Sequence, residues 1–193
     1  MISIEELSPY KFVIFDYDST IAKIPIDWPK ARLRFREYLQ DLIPGLSIPQ
    51  NSRVDEMELL ALKAFPNMKD SIFMFRLELE TQLDGKHEGI KNTIELIRDL
   101  AVTETKELLI VSNNLRRTVV SGLSQFSLND CFSAVFGVDD VGFPKPSTDS
   151  FCLIEQVYDV LPSECIFIGD NDRTDGGFAG KIGMGFYNIT HLN

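Results

Sequence analysis

Short apolar runs separated by amphipathic stretches set the strongest limit on what this chain can fold into. Phe12-Val13-Ile14-Phe15, Leu108-Leu109-Ile110-Val111, Ala134–Val138, Cys165-Ile166-Phe167-Ile168 and Met184–Ile189 read as strands, the first extending over Lys11–Asp16. Runs this apolar, without polar alternation, belong to strands buried on both faces. Between the later runs lie helical patterns at Ile90, Ile94, Ile97 and Ala101, at Leu115, Val119, Leu123 and Phe126, and at Phe151, Ile154, Val157 and Leu161. Strands alternating with helices imply right-handed crossovers and a parallel sheet. The expected fold class is α/β, with a Rossmann-like parallel sheet.

The first strand is separated from the others by a stretch of different texture. From about Ile21 to Gly85 the pattern is helical and offers no convincing parallel strand. Trp28, Ala31, Phe35, Leu39 and Leu42 mark one amphipathic helix, ended by Pro44-Gly45. Val54, Met57, Ala61, Ala64 and Phe65 mark a second, with Asn51 or Ser52 as N-cap and Pro66 just beyond. Ser71–Leu83 fits a helix through Ile72, Phe75, Leu79 and Leu83. It also alternates like a strand, but is too long for a typical one. The expected organisation is a core of residues 1–20 and 88–193, interrupted by a small all-helical domain at 21–87.

Composition narrows the function. The 193 residues carry 29 acidic and 19 basic side chains, a net charge of −10, which argues against nucleic acid or an anionic membrane as partner. Cys131, Cys152 and Cys165 show no paired spacing and read as reduced core thiols. Only His87 and His191 are present, too few for a Ser-His-Asp hydrolase or a His-rich zinc site. The start MISIEELSPY is polar and acidic, unlike a secretory leader, and no apolar run approaches membrane-spanning length. A cytoplasmic protein, monomer or homodimer, is expected.

Polar residues gather where the strands end. Asp16-Tyr17-Asp18-Ser19-Thr20 follows the first run, Ser112-Asn113-Asn114 the second, and Gly169-Asp170 to Thr174-Asp175 the fourth. Gly142-Phe143-Pro144-Lys145-Pro146 presents a lysine between two prolines. Open α/β sheets bind ligands at the carboxyl ends of their strands. Carboxylates one residue apart repel unless a cation lies between them, and a divalent ion with oxygen ligands suits them. Taken singly, each residue also has a structural reading: Ser112 as a helix cap, Lys145 as a solvated loop lysine, the aspartates as turn residues. Their conjunction in one chain order is what singles them out.

On these residues the chain resembles the haloacid dehalogenase-like hydrolase superfamily, over 11–20 and 88–190. Asp16-x-Asp18-x-Thr20 corresponds to the first of the family's motifs, Ser112 to the second, Lys145 before Pro146 to the third, and Gly169-Asp170 with Thr174-Asp175 to the fourth. The inserted segment resembles a short version of the family's helical cap, as in phosphoglycolate phosphatase-like members. Ser19 stands where many members have glycine.

The resemblance implies a Mg²⁺-dependent phosphomonoester hydrolase acting on a small phosphorylated metabolite. Asp16 would be the nucleophile and Asp18 the general acid and base. Mg²⁺ would be held by the Asp16 carboxylate, the Asp18 carbonyl and Asp170, with Asp175 assisting. Ser112, Lys145 and backbone N–H groups near Asn113 would bind phosphate oxygens. A sugar-phosphate mutase shares these motifs, and a 2-haloacid dehalogenase would not need an acid at Asp18. A non-catalytic binding protein would be expected to have lost one of these residues. In the first helix of the insertion, Lys30 and Arg36 read as solvated. Arg32 and Arg34 flank its apolar stripe, and one of them is expected to reach the cleft and pair with an anionic leaving group.

Overall fold

The computed structural model describes residues 2–81, 86–103 and 105–192. Strand β1 (Phe12–Phe15) is followed by a two-residue strand β2 (Ala22–Lys23) and three helices, α1 (Trp28–Leu42), α2 (Val54–Ala64) and α3 (Lys69–Thr81). The chain returns through β3 (Glu88–Gly89) to α4 (Lys91–Thr103), β4 (Glu107–Val111), α5 (Arg116–Gln125), β5 (Ala134–Phe136) and a single turn α6 (Val138–Val141). It ends with α7 (Asp149–Val157), β6 (Cys165–Gly169), a π-helical turn at Asp172–Gly176, α8 (Gly177–Ile182) and β7 (Gly185–Asn188).

Five strands form one parallel sheet in the order β5-β4-β1-β6-β7. The alternation of side chains along a strand distributes the apolar runs between two cores. Val13, Phe15, Leu108, Ile110, Ile166 and Ile168 face one core, with Ile94, Ile97 and Leu100 of α4 and Val119 and Leu123 of α5. Phe12, Ile14, Leu109, Val111 and Phe167 face the other, with Phe151 and Ile154 of α7 and Phe178 and Ala179 of α8. Burial on both faces accounts for the unbroken apolar runs. The chain moves outward from β1 through β4 to β5, then crosses back to place β6 on the far side of β1. Connections leaving β1 and β6 diverge, which opens a crevice at their carboxyl ends.

Helices α1, α2 and α3 bury a core of their own, built from Phe35, Leu39, Val54, Met57, Ala61, Leu62, Ile72 and Leu79. Tyr38 and Phe75 stack between α1 and α3 with ring centroids 4.0 Å apart. The stripe predicted for α1 holds, with Ala31, Phe35 and Leu39 fully inside. Where the chain leaves the sheet and returns, β2 and β3 pair antiparallel, Ala22 with Gly89 and Lys23 with Glu88. Two residues per strand give no readable periodicity, so this ribbon escapes sequence reading.

Several boundaries differ from expectation. The N-cap of α2 is Arg53, one residue after the predicted Ser52, and its backbone N–H donates to Glu56 of the first turn at 2.7 Å. Ala64 and Phe65 are exposed, and Leu62 takes the inward position. Helix α3 starts at Lys69, two residues before the predicted Ser71, and Leu83 and Gly85 lie outside the described residues. Val157 and Leu161 are exposed, since α7 ends at Val157.

Candidate active site

Asp16 and Asp18 leave β1 on the same side, and the intervening Tyr17 points the opposite way into the sheet's core. Tyr17 OH lies 2.6 Å from His87 Nδ1 beside β3. That contact needs Gly122 on α5, where any Cβ would sit 1.7 Å from the Tyr17 oxygen. Ser19 closes the turn with φ of 64° and donates its N–H to Ala22 O at 2.8 Å. This left-handed conformation is the one glycine adopts freely, at a cost to serine on the order of 1 kcal/mol.

Asp16 is 7% exposed, and its Oδ1 accepts from Lys145 Nζ at 2.7 Å. The same ammonium lies 2.8 Å from Asp175 Oδ1 and 4.7 Å above the Phe167 ring. Lys145 is 3% exposed and is not the solvated loop lysine of the alternative reading. Asp175 Oδ2 also accepts from Asn171 N at 3.2 Å. A Cβ on Gly169 would approach that oxygen to 2.4 Å, so glycine is required at the end of β6.

Carboxylate oxygens of Asp16, Asp170 and Asp175 all lie within 4.8 Å of one another. Burial pushes the Asp16 carboxyl up to about 8, against the pull of Lys145. Burial, with Asp175 beside it, pushes Asp170 up to about 6. Lys145 loses some basicity to burial, but Asp16 and Asp175 outweigh that and hold it charged. One lysine does not fully balance three acids. Three hard oxygen donors at this spacing suit a small divalent cation, which would supply the missing positive charge.

Asp18 faces the cleft without joining that carboxylate group. Its Oδ1 accepts from Ile24 N at 3.0 Å, and the Trp28 side chain beside it tempers its pKa. Burial nonetheless raises its pKa, and the negative charge of Glu80 adds to the rise.

The loop after β4 differs from the sequence expectation in detail. Ser112 is buried, donates its hydroxyl to Asn114 Oδ1 at 3.2 Å and accepts from Asn114 N at 3.1 Å. It caps its own loop, and Asn113 and Asn114 line the cleft. Asn113 Oδ1 accepts from Lys145 N at 2.7 Å, while Asn113 Nδ2 donates to Lys145 O at 3.2 Å. Its side chain therefore clamps the backbone of the lysine.

The cleft has a volume of about 190 Å³. Arg32 lines it and Arg34 does not. Arg34 turns to α3, where its guanidinium is 2.7 Å from Glu78 and lies over the Phe75 ring. Arg36 is not solvated as predicted. It donates to the carbonyls of Ile48, Pro49 and Gln50 and ties down the loop before α2.

Sequence reading passed over Arg53, Glu58, Arg76 and Glu80. Arg76 is 3% exposed, 2.9 Å from Glu80 and 3.2 Å from Glu58. Neither Glu58 oxygen forms a well-aligned hydrogen bond, so that contact is an ion pair alone. Burial pushes Glu58 up to about 7. Arg76 also donates to Asn113 O at 2.8 Å, and Glu80 accepts from Leu115 N at 3.1 Å. This network joins α3 to the loop after β4. Its signal in the sequence is a charge on an apolar stripe, Arg76 one turn after Ile72 and beside Leu79.

Residues 10–183 match the family described as haloacid dehalogenase-like hydrolase. An (S)-2-haloacid dehalogenase of Xanthobacter autotrophicus is 32% identical over 84 residues, 44% of this chain and 33% of that protein. The pyrophosphatase PpaX of Bacillus thuringiensis (strain Al Hakam) is 26% identical over 135 residues, 68% of this chain and 58% of its own length. The chain thus spans a third and under two thirds of these relatives. Among solved structures, a haloacid dehalogenase-like hydrolase from Bacteroides fragilis superposes with a TM-score of 0.64 at 20% identity, covering 95% of this chain and 90% of that one.

Proposed function

Since the chain belongs to the haloacid dehalogenase-like hydrolase family, we propose that it is a Mg²⁺-dependent phosphomonoester hydrolase acting on a small phosphorylated metabolite. The observation that carries this reading is the buried Lys145 bridging Asp16 and Asp175, at 2.7 and 2.8 Å, beside an open cleft. Phosphoryl transfer needs a positioned nucleophile, charge neutralisation and a proton for the leaving group. All three are available here. Residues 21–87 serve in this reading as a cap that shields the reaction from water.

Asp16 attacks phosphorus through a carboxylate oxygen, and the bond to the leaving oxygen breaks as Asp18 delivers its proton. The raised pKa of Asp18 favours the protonated form that this step uses. Asp18, now ionised, then takes a proton from water, which attacks the aspartyl-phosphate, releases phosphate and restores Asp16. Lys145 neutralises charge on the phosphoryl oxygens, and the Asn113 side chain keeps the lysine in place. Asp16, Asp170 and Asp175 would hold the metal, which when bound supplies positive charge to the transferring phosphoryl group.

The second reading is a 2-haloacid dehalogenase, favoured by the Xanthobacter relative. A mutase would use the same residues with a longer-lived phosphoenzyme. Asp18, held by Ile24 N, argues for phosphoryl transfer, since halide departure needs no acid. One experiment separates the phosphatase and dehalogenase readings. The protein is assayed with an aryl phosphate and with 2-chloropropionate, with Mg²⁺, with Ca²⁺ and with excess chelator. Phosphate release that Mg²⁺ restores and Ca²⁺ restores poorly is expected. Chloride release without phosphate release, or full turnover in chelator, overturns the proposal.

A further inference from the structure

The cleft draws its charges from two sources. The sheet side contributes Asp16, Asp18, Asp170 and Asp175 with Lys145, whereas the helical segment contributes Arg32 of α1, Arg53 at the start of α2 and Arg76 of α3 with one acid, Asp55. Three guanidinium groups meeting in one small cleft of a chain with net charge −10 ask for an explanation. Arg76 is committed to Glu58, Glu80 and Asn113 O, so it braces the wall. Arg53 sits 3.6 Å from Asp55, an ion pair too long for a hydrogen bond, which leaves its N–H donors for another acceptor. Among the described residues Arg32 has no ion-pair partner. Neither Arg32 nor Arg53 is needed for the transferred phosphoryl group, which Lys145 and the metal-binding acids already serve.

We propose that Arg32 and Arg53 form a subsite for a second negative charge, so that the substrate is a small phosphate ester whose leaving group ends in an anion. This rests on the phosphomonoesterase reading. A carboxylate and a second phosphate share the required chemistry, since a guanidinium pairs with either through two parallel hydrogen bonds. The cleft volume of about 190 Å³ is below the roughly 300 Å³ at which sites for drug-sized ligands begin. It fits a phosphate, a chain of a few atoms and the terminal anion.

Binding of non-hydrolysable phosphonates, read by titration calorimetry in excess Mg²⁺, tests the subsite directly. Phosphonoacetate carries the carboxylate, methylenediphosphonate the second phosphoryl group, and ethylphosphonate a neutral end. At least one anionic ligand should bind about tenfold or more tightly than ethylphosphonate, and Arg32→Ala or Arg53→Ala should each erode that ratio by about tenfold. Arg34→Ala, altered outside the cleft, should preserve it. Whichever anionic ligand shows the larger ratio identifies the chemistry of the terminal group. A wild-type ratio near one, or a ratio that neither arginine variant moves, overturns the subsite. Failure to hydrolyse an aryl phosphate would overturn the phosphomonoesterase reading instead, while the calorimetric ratio still decides the subsite.

Discussion

Replacing Lys145 with methionine keeps most of the side-chain volume against Phe167 and removes only the ammonium. That ammonium lies 2.7 Å from Asp16 and 2.8 Å from Asp175, and is 3% exposed. Breaking a buried pair by deleting one partner costs about 3–5 kcal/mol, because the remaining charge is left uncompensated. For a domain of this size, at about 2–4 °C per kcal/mol, the loss corresponds to roughly 6–20 °C in Tm. The loss should depend on pH. Burial already raises Asp16 from 3.8 to about 8 in the folded protein. The native state therefore binds more protons than the unfolded chain between those values, and metal-free stability falls as pH rises through that window. Without the lysine, protonation is the acids' main relief. The deficit of Lys145→Met should be small near pH 5 and full near pH 9. Bound Mg²⁺ adds about 2.7 kcal/mol at one hundred times its Kd and supplies the missing counter-charge, so it should narrow the gap at high pH. Thermal melts of both proteins at the two pH values, in chelator and in Mg²⁺, measure all of this. An equal Tm deficit at both pH values, unmoved by Mg²⁺, would refute the view that Lys145 balances this cluster.

Two further outcomes follow from the site. Asp18→Asn should lower turnover of alkyl phosphates by roughly 10²–10⁴-fold, the scale of one general acid–base group. The loss should be smaller with p-nitrophenyl phosphate, whose leaving group needs no proton, and equal losses would remove Asp18 from the acid role. Asn113→Ala deletes both hydrogen bonds to the Lys145 backbone. It should lower kcat for p-nitrophenyl phosphate by about tenfold or more while costing only about 1–3 kcal/mol of stability. Unchanged kcat in steady-state kinetics would show that the lysine holds its place without the clamp.

Much of this architecture is legible in the amino-acid sequence. Strands buried on both faces must be apolar throughout, so β1, β4 and β6 announced themselves, and with them the parallel sheet. The places of Asp16, Asp18 and Asp170 were legible for a related reason. Polar residues placed directly after buried strands can only emerge at the sheet's carboxyl edge, wherever the rest of the chain goes.

The remainder depended on contacts across long separations. Lys145 meets Asp16 across 129 positions, and Arg76 meets Asn113 across 37. No local periodicity encodes either pairing. Helical spacing put Arg32 and Arg34 at the edges of one stripe but could not say which edge faces the cleft, since Glu78 and Phe75 on α3 settle where Arg34 turns. The hydrogen bonds that Ser112 makes to Asn114, and Asn113 to the Lys145 backbone, arise within and across loops and have no signature in the spacing of the residues. Local sequence determined the strands, the helices and the edge at which chemistry is presented, because these follow from period and burial. Tertiary structure alone decided which charges meet, because a buried charge is stable only where the fold brings it a partner.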